Sequence, residues 1–131
     1  MGLDTTHNAW HGSYSGFAEW RKWLAEQIGI NLDAMDGFQS SFKQTPKKII
    51  KWESLPHDDL HYLLNHSDCD GSITSKRCGK IAKRLDQILK KVKPNKNIVL
   101  DYESEWKVQA TKDFSKGCKK AFKLKQNIQF H

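Results

Sequence analysis

Cysteine is scarce in this chain, limited to Cys69, Cys78 and Cys118 among 131 residues. An odd, widely spaced set supports neither a disulfide framework nor a paired CxxC zinc site. The expectation is three reduced thiols, with Cys78 and Cys118 in the core. Proline is equally rare, and its three residues, like most of the eight glycines, fall singly between periodic segments, where they punctuate rather than link. No repeat or low-complexity stretch marks a second domain, and this length suits one core. No apolar run approaches the roughly 20 residues that span a bilayer. The opening Met1-Gly2-Leu3-Asp4-Thr5-Thr6-His7 lacks the basic patch and apolar stretch of a signal peptide. These absences predict a cytoplasmic protein without membrane contact.

What is present begins with charge. Residues 1–75 carry 6 Lys/Arg against 10 Asp/Glu, a net of −4, whereas residues 76–131 carry 16 against 5, a net of +11. Such asymmetry points to an anionic partner, since summed charge steers encounter. A solvated helical face is the plainer reading of the same lysines.

Hydrophobic periodicity predicts a mainly α, single helical domain over residues 1–131, with a short strand over 127–131. Ser15 reads as the N-cap of a first helix that places Phe17, Trp20, Trp23, Leu24 and Ile28 on one stripe before Gly29 ends it. Residues 32–38 suggest a helical turn and 43–48 an exposed loop, after which Ile49, Ile50, Trp52 and Leu55 return to the core. A short helix over about 56–65 carries Leu60, Leu63 and Leu64, with Asp58 and Asp59 in its first turn. Thr74 or Ser75 caps a longer helix to about Val92, with Cys78, Ile81, Leu85, Ile88, Leu89 and Val92 apolar and Lys76, Arg77, Lys80, Lys83, Arg84, Lys90 and Lys91 opposite. A last helix, 102–124, turns Trp106, Ala110, Phe114, Cys118, Ala121 and Phe122 inward, with Gly117 weakening its middle.

Two polar segments stand out for chemistry. Between two predicted helices, His66-Ser67-Asp68-Cys69-Asp70-Gly71-Ser72-Ile73 resembles a degenerate EF-hand loop. With Gly71 as the turn glycine, Asp68, Asp70 and Ser72 take ligand positions and Ile73 the hydrophobic anchor. The first and last ligand positions would be His66 and Arg77, which removes the strongest anchors for calcium. His66, Asp68 and Asp70 could instead hold a divalent transition metal, or the loop could simply close through Asx hydrogen bonds.

The second segment runs from Asp4 to Ser15. His7 and His11 share one face if the backbone is helical, which would suit metal binding or acid–base work near neutral pH; the plainer reading makes them surface or capping residues. No Glu lies between them in the zinc-protease pattern. Ser13, Tyr14 and Ser15 offer hydroxyls and free amides at a helix N-terminus, suited to a phosphate. Trp10 is placed to stack on a base. His57 and His61 repeat the four-residue spacing, at least one of them as an exposed bystander.

The chain resembles a family of small, largely uncharacterised phage and bacterial proteins. The resemblance rests on Met1-Gly2-Leu3-Asp4, on His11-Gly12-Ser13-Tyr14-Ser15-Gly16-Phe17 running into Trp20-Arg21, on Leu64-Asn65-His66-Ser67-Asp68-Cys69-Asp70-Gly71, and on the closing Phe130-His131. It implies a phage-associated setting and one site built from the two polar segments, but no reaction.

Three functions follow as expectations. The first is binding of a small anionic ligand, foremost a nucleotide immune signal, by His7, Trp10, Ser13, Tyr14, Ser15 and Arg21, with Asp68 and Asp70 on ribose or base. A homo-oligomer would fit it, because small binders often build pockets between protomers. The second is a phosphodiesterase with His11 and His66 as catalytic groups and His66, Asp68 and Asp70 on a metal. The third is nucleic-acid binding by the Lys-rich helices, for which the sequence shows no interleaved aromatics.

Overall fold

The first long helix starts two residues earlier than the hydroxyl pattern suggests. In the computed structural model, which describes residues 2–30, 35, 50–65, 71–92 and 102–130, the N-cap is Ser13. Its Oγ accepts from the Gly16 N–H at 3.0 Å, and helix α1 spans Tyr14–Gln27. Ser15 misses the role because Ser13 already has the extended backbone of a cap (φ −75°, ψ 156°). The stripe itself is as read: Phe17, Trp20 and Leu24 are fully buried, with Trp23 and Ile28 half-buried against them. Gly29, at φ +77°, closes the helix. The Ile30 N–H donates to the Ala25 carbonyl and the Gly29 N–H to that of Glu26, which satisfies carbonyls that a helix end leaves orphaned.

Ahead of α1 the chain forms a hairpin that periodicity does not announce. Strand β1 (Gly2–Asp4) pairs antiparallel with β2 (His11–Ser13), Asp4 facing His11. A 3₁₀ turn, Thr6–Asn8, lies between them. Thr5 latches this loop: its N–H donates to the Trp10 carbonyl at 3.0 Å and its hydroxyl oxygen accepts from the Trp10 N–H at 2.8 Å.

After a second 3₁₀ turn, Trp52–Ser54, a single helical turn α2 covers His61–Leu64. It is shorter than the pattern predicts, because the Asp58 carboxylate accepts from the Leu60 N–H at 2.9 Å and so holds the preceding residues in an Asx-type turn. Leu60, Leu63 and Leu64 are buried as expected. Strand β3 (Ser72–Ile73) leads into α3 (Ser75–Val92), capped by Thr74 Oγ1 and by Asn127 Oδ1, which accept from the Arg77 and Ser75 N–H groups. Helix α4 (Tyr102–Leu124) follows, and β4 (Ile128–Gln129), the expected terminal strand, pairs antiparallel with β3. Met35, in a bridge to Ile50, is buried; residues 66–70 of the predicted calcium-like loop and the turns at 32–34, 36–38 and 43–48 lie outside the described residues.

The α3–α4 pair is the most extensive packing in the fold. It is antiparallel, since Ser115 meets Ala82 and Asp86 whereas Phe122 meets Gly79. Cys78, Ile81, Leu85 and Ile88 pack against Phe114, Cys118 and Ala121. The two thiols are free and buried. Contact with Cys78 together with burial pushes the Cys118 thiol far above the ordinary range, so neither chemistry nor metal binding is expected of it. One inward assignment fails. Phe122 is 56% exposed, because Ala121 takes the buried side of that turn and the next residue, about 100° further round a 3.6-residue helix, emerges at the edge of the interface.

The aromatic centre joins α1 to α4. Trp10 stacks on Trp20 at 5.3 Å, and Trp20 packs on Phe114 at 5.0 Å. The Trp20 Nε1–H donates to Thr111 Oγ1 at 3.0 Å, and that hydroxyl donates in turn to the Lys107 carbonyl at 2.8 Å. No described helix is long and apolar enough to cross a membrane.

Candidate functional site

The four-residue spacing of His7 and His11 does not place them on one helical face, because the segment is not helical. His11 stands on β2, whereas His7 sits in the 3₁₀ turn with a left-handed backbone (φ 64°, ψ 16°), followed by Asn8 at φ 55°. Two consecutive non-glycine residues in this region are uncommon, and backbone of this kind persists only where its surroundings impose it. Here Gly117 does so. A Cβ on Gly117 would lie 2.7–2.8 Å from Cβ and Cα of Ala9, so the loop rests directly on the α4 backbone.

The loop faces the C-terminal end of α4. That end is closed by Lys125 in the left-handed region (φ 56°), with the Gln126 N–H donating to the Ala121 carbonyl and the Lys125 N–H to that of Phe122. The turn presents Gln126 to His7. Between loop and helix end lies an open basin of about 710 Å³, walled by Thr6, His7 and Asn8 on one side and by Lys120, Gln126 and Asn127 on the other, with Leu124 and Gln129 at its margin.

Hydrogen bonds fix the polarity of this basin. Thr6 Oγ1 accepts from the Gln129 N–H at 3.0 Å and lies 2.8 Å from His7 Nδ1. His7 Nε2 lies 2.8 Å from Gln126 Oε1, and because an amide oxygen only accepts, the Nε2–H is the donor of that pair. Asn127 Oδ1 is likewise engaged by the Ser75 N–H at 3.1 Å. Both amide oxygens are thus committed to the scaffold, and the NH₂ groups of Gln126 and Asn127 are left as donors beside the Lys120 ammonium. Donors in excess, with no carboxylate among the described lining residues, suit an anion.

The other expected site residues disperse. His11 lies on the far strand with its side chain 89% exposed, its Nδ1 hydrogen-bonded to the Asp4 carboxylate across the hairpin. Ser13 caps α1, Ser15 is exposed beside it at 3.3 Å, and Tyr14 is half-buried against the core. Trp10 is core, 8% exposed, and Arg21 is buried with its guanidinium 4.7 Å over the Phe17 ring and donating to the Leu64 carbonyl. Neither presents a surface to a ligand. His66, Asp68 and Asp70, expected both on metal and on ligand, lie outside the described residues, as does His131. Among the described residues no group of three or more His, Cys, Asp or Glu side chains gathers as a metal site. His57 is the exposed member of its pair; burial lowers the His61 pKa, with the nearby His57 adding to this and Asp58 opposing it.

Of the predicted residues that are described, only His7 lines the basin; Lys120, Gln126 and Asn127 are additions. The signal in sequence for Gln126 and Asn127 is the polar run after the last helix, and Lys120 is one of several lysines on that helix. No family model, curated protein or solved structure matches the chain.

Proposed function

We propose that the protein binds a small anionic ligand of nucleotide type in the basin between the 5–10 loop and the C-terminal end of α4. The observation that carries this reading is the orientation of the amides: His7 and Ser75 hold the oxygens of Gln126 and Asn127, so their NH₂ groups join Lys120 as a convergent set of donors. Lys120 takes a phosphate; Gln126, Asn127 and the nearby Asn8 read the acceptor edge of a base; the half-exposed Leu124 supports its flat face. The resemblance to small phage and bacterial proteins favours a nucleotide immune signal as ligand and sequestration as the outcome, in the host cytoplasm. Calorimetry against linear and cyclic nucleotides, with inorganic phosphate as reference, tests it. Binding is expected for at least one nucleotide, weakened about tenfold or more in Lys120→Gln, since hydrogen bonds to charged groups contribute about 1.5–3 kcal/mol. No heat with any nucleotide, or equal affinity in Lys120→Gln, would overturn the assignment.

A second reading, phosphodiesterase activity, keeps one observation. Asp4 holds His11 through Nδ1 and leaves Nε2 to solvent, the arrangement a general base requires. Hydrolysis of cyclic nucleotides that disappears in His11→Ala would move the function to the hairpin. Activity surviving both that change and chelation would remove His11 and metal together from the mechanism.

A further inference from the structure

The face of α3 and α4 turned away from the basin carries a second concavity, of about 460 Å³, with Phe122 exposed in it. The Phe122 ring is seated rather than dangling. A Cβ on Gly79 would lie only 2.6–3.0 Å from three of its carbons, so the ring rests against the α3 backbone at the one position where no side chain intervenes. Lys76, Lys80 and Lys83 border it on α3, spaced four and three residues apart and therefore on one side of that helix. Lys119 closes the groove from α4 and pairs with Asp86, the single carboxylate among the described lining residues, at 2.7 Å; the Ser115 hydroxyl donates to the same group. The remaining charge is cationic, in the half of the chain whose net is +11.

We infer that this groove binds single-stranded nucleic acid, one base stacking on Phe122 while Lys76, Lys80 and Lys83 hold the adjoining phosphates. The site is separate from the basin and does not depend on it. An isolated ring edged by ammonium groups matches the stacking-plus-phosphate pattern of strand binding. A docked acidic helix needs apolar anchors recurring at successive turns, and here the floor offers one ring with Gly79 and Ala82. A second copy of the chain would bring lysine against lysine. Phe122 also supplies the aromatic that is missing among the lysines in the linear sequence, because α3 and α4 interleave it with residues some 40 positions away.

The test is fluorescence anisotropy of the full chain with a dye-labelled oligothymidine of about 12 nucleotides, within the site sizes such proteins cover. Binding is expected to weaken steeply between about 50 and 200 mM salt. Phe122→Ala and Phe122→Leu should each weaken it about tenfold, whereas Phe122→Tyr retains it, because a stacked base needs a ring and not merely an apolar group. Lys80→Gln/Lys83→Gln should flatten the salt slope by about 1.4, two single-strand phosphate contacts at about 0.7 each. Binding in Phe122→Leu as tight as in the unmodified protein, no binding at low salt, or a polyglutamate peptide binding as tightly as the oligonucleotide would each overturn the assignment, the last in favour of an acidic protein partner.

Discussion

Two glycines inside helices face opposite fates on replacement by alanine. In a helix interior the change gains about 1 kcal/mol of propensity. At Gly117 the new methyl would stand 2.7 Å from Cβ and 2.8 Å from Cα of Ala9 and 3.1 Å from its backbone nitrogen, well inside the 3.5–4.0 Å of a normal carbon contact. Backbone cannot rotate aside, so the cost lies toward the upper end of the about 1–3 kcal/mol typical of overpacking, leaving Gly117→Ala about 1–2 kcal/mol less stable. An unfolding entropy of about 2.1 cal/mol/K per residue gives about 0.28 kcal/mol/K for 131 residues, hence a fall in Tm of about 4–7 °C. At Gly79 the methyl would meet the Phe122 ring, which is already half in water and can swing outward. Gly79→Ala should leave stability unchanged or raise it by up to about 1 kcal/mol. The assay is calorimetric melting of both variants beside the unmodified protein. Equal rises in Tm would show that the 5–10 loop does not rest on α4 at Gly117, and the account of the basin would fall with it. If the loop does rest there, Gly117→Ala also weakens ligand binding in the basin by displacing His7 from Gln126.

Other consequences follow from the same contacts. Thr111→Val removes the acceptor of the fully buried Trp20 indole and should cost about 1–3 kcal/mol by urea denaturation; Thr111→Ser should cost less. Lys125→Gly relieves a side chain held at φ 56° and should raise the urea midpoint by an amount equivalent to about 1 kcal/mol. Burial opposes ionisation of Asp86, but hydrogen bonds from Lys119 and Ser115 and the charges of Lys119 and Lys90 outweigh it, so its pKa is lowered. A carboxylate with a depressed folded-state pKa stabilises above its unfolded value and loses that contribution as pH falls through the folded one. Melting curves from pH 6 down to pH 3 should therefore show a smaller acid-induced loss for Asp86→Asn; an unchanged loss would contradict the pairing. At His61 the lowered pKa acts on a base, so stability falls as pH drops below about 6.5, the unfolded value. His61→Gln should flatten the Tm profile between pH 7 and pH 5.

The three long helices were legible because each buries one stripe, and a period near 3.6 records that burial directly in the order of residues. Phe17, Trp20 and Leu24, or Ile81, Leu85 and Ile88, could face nothing but a core. The charge asymmetry between the halves was equally plain, as was the strand near the end of the chain. The hairpin of β1 and β2 was not, since strands of three residues are too short to show alternation and exist through their pairing. His7 and His11 are four residues apart in any conformation, but that spacing means a shared face only on a helix; Thr5 and Gly117 bend the segment otherwise, and no local pattern announces a left-handed His. Gly117 itself reads as a weak point in α4 until Ala9 is seen against it. Trp10 and Arg21 look polar-flanked and available in sequence, yet the fold spends both on packing. Phe122 carries the clearest division. Sequence fixes that it adjoins Ala121 on α4, but only the crossing of α3, and the missing side chain at Gly79, decides that its ring faces water among lysines and not the core.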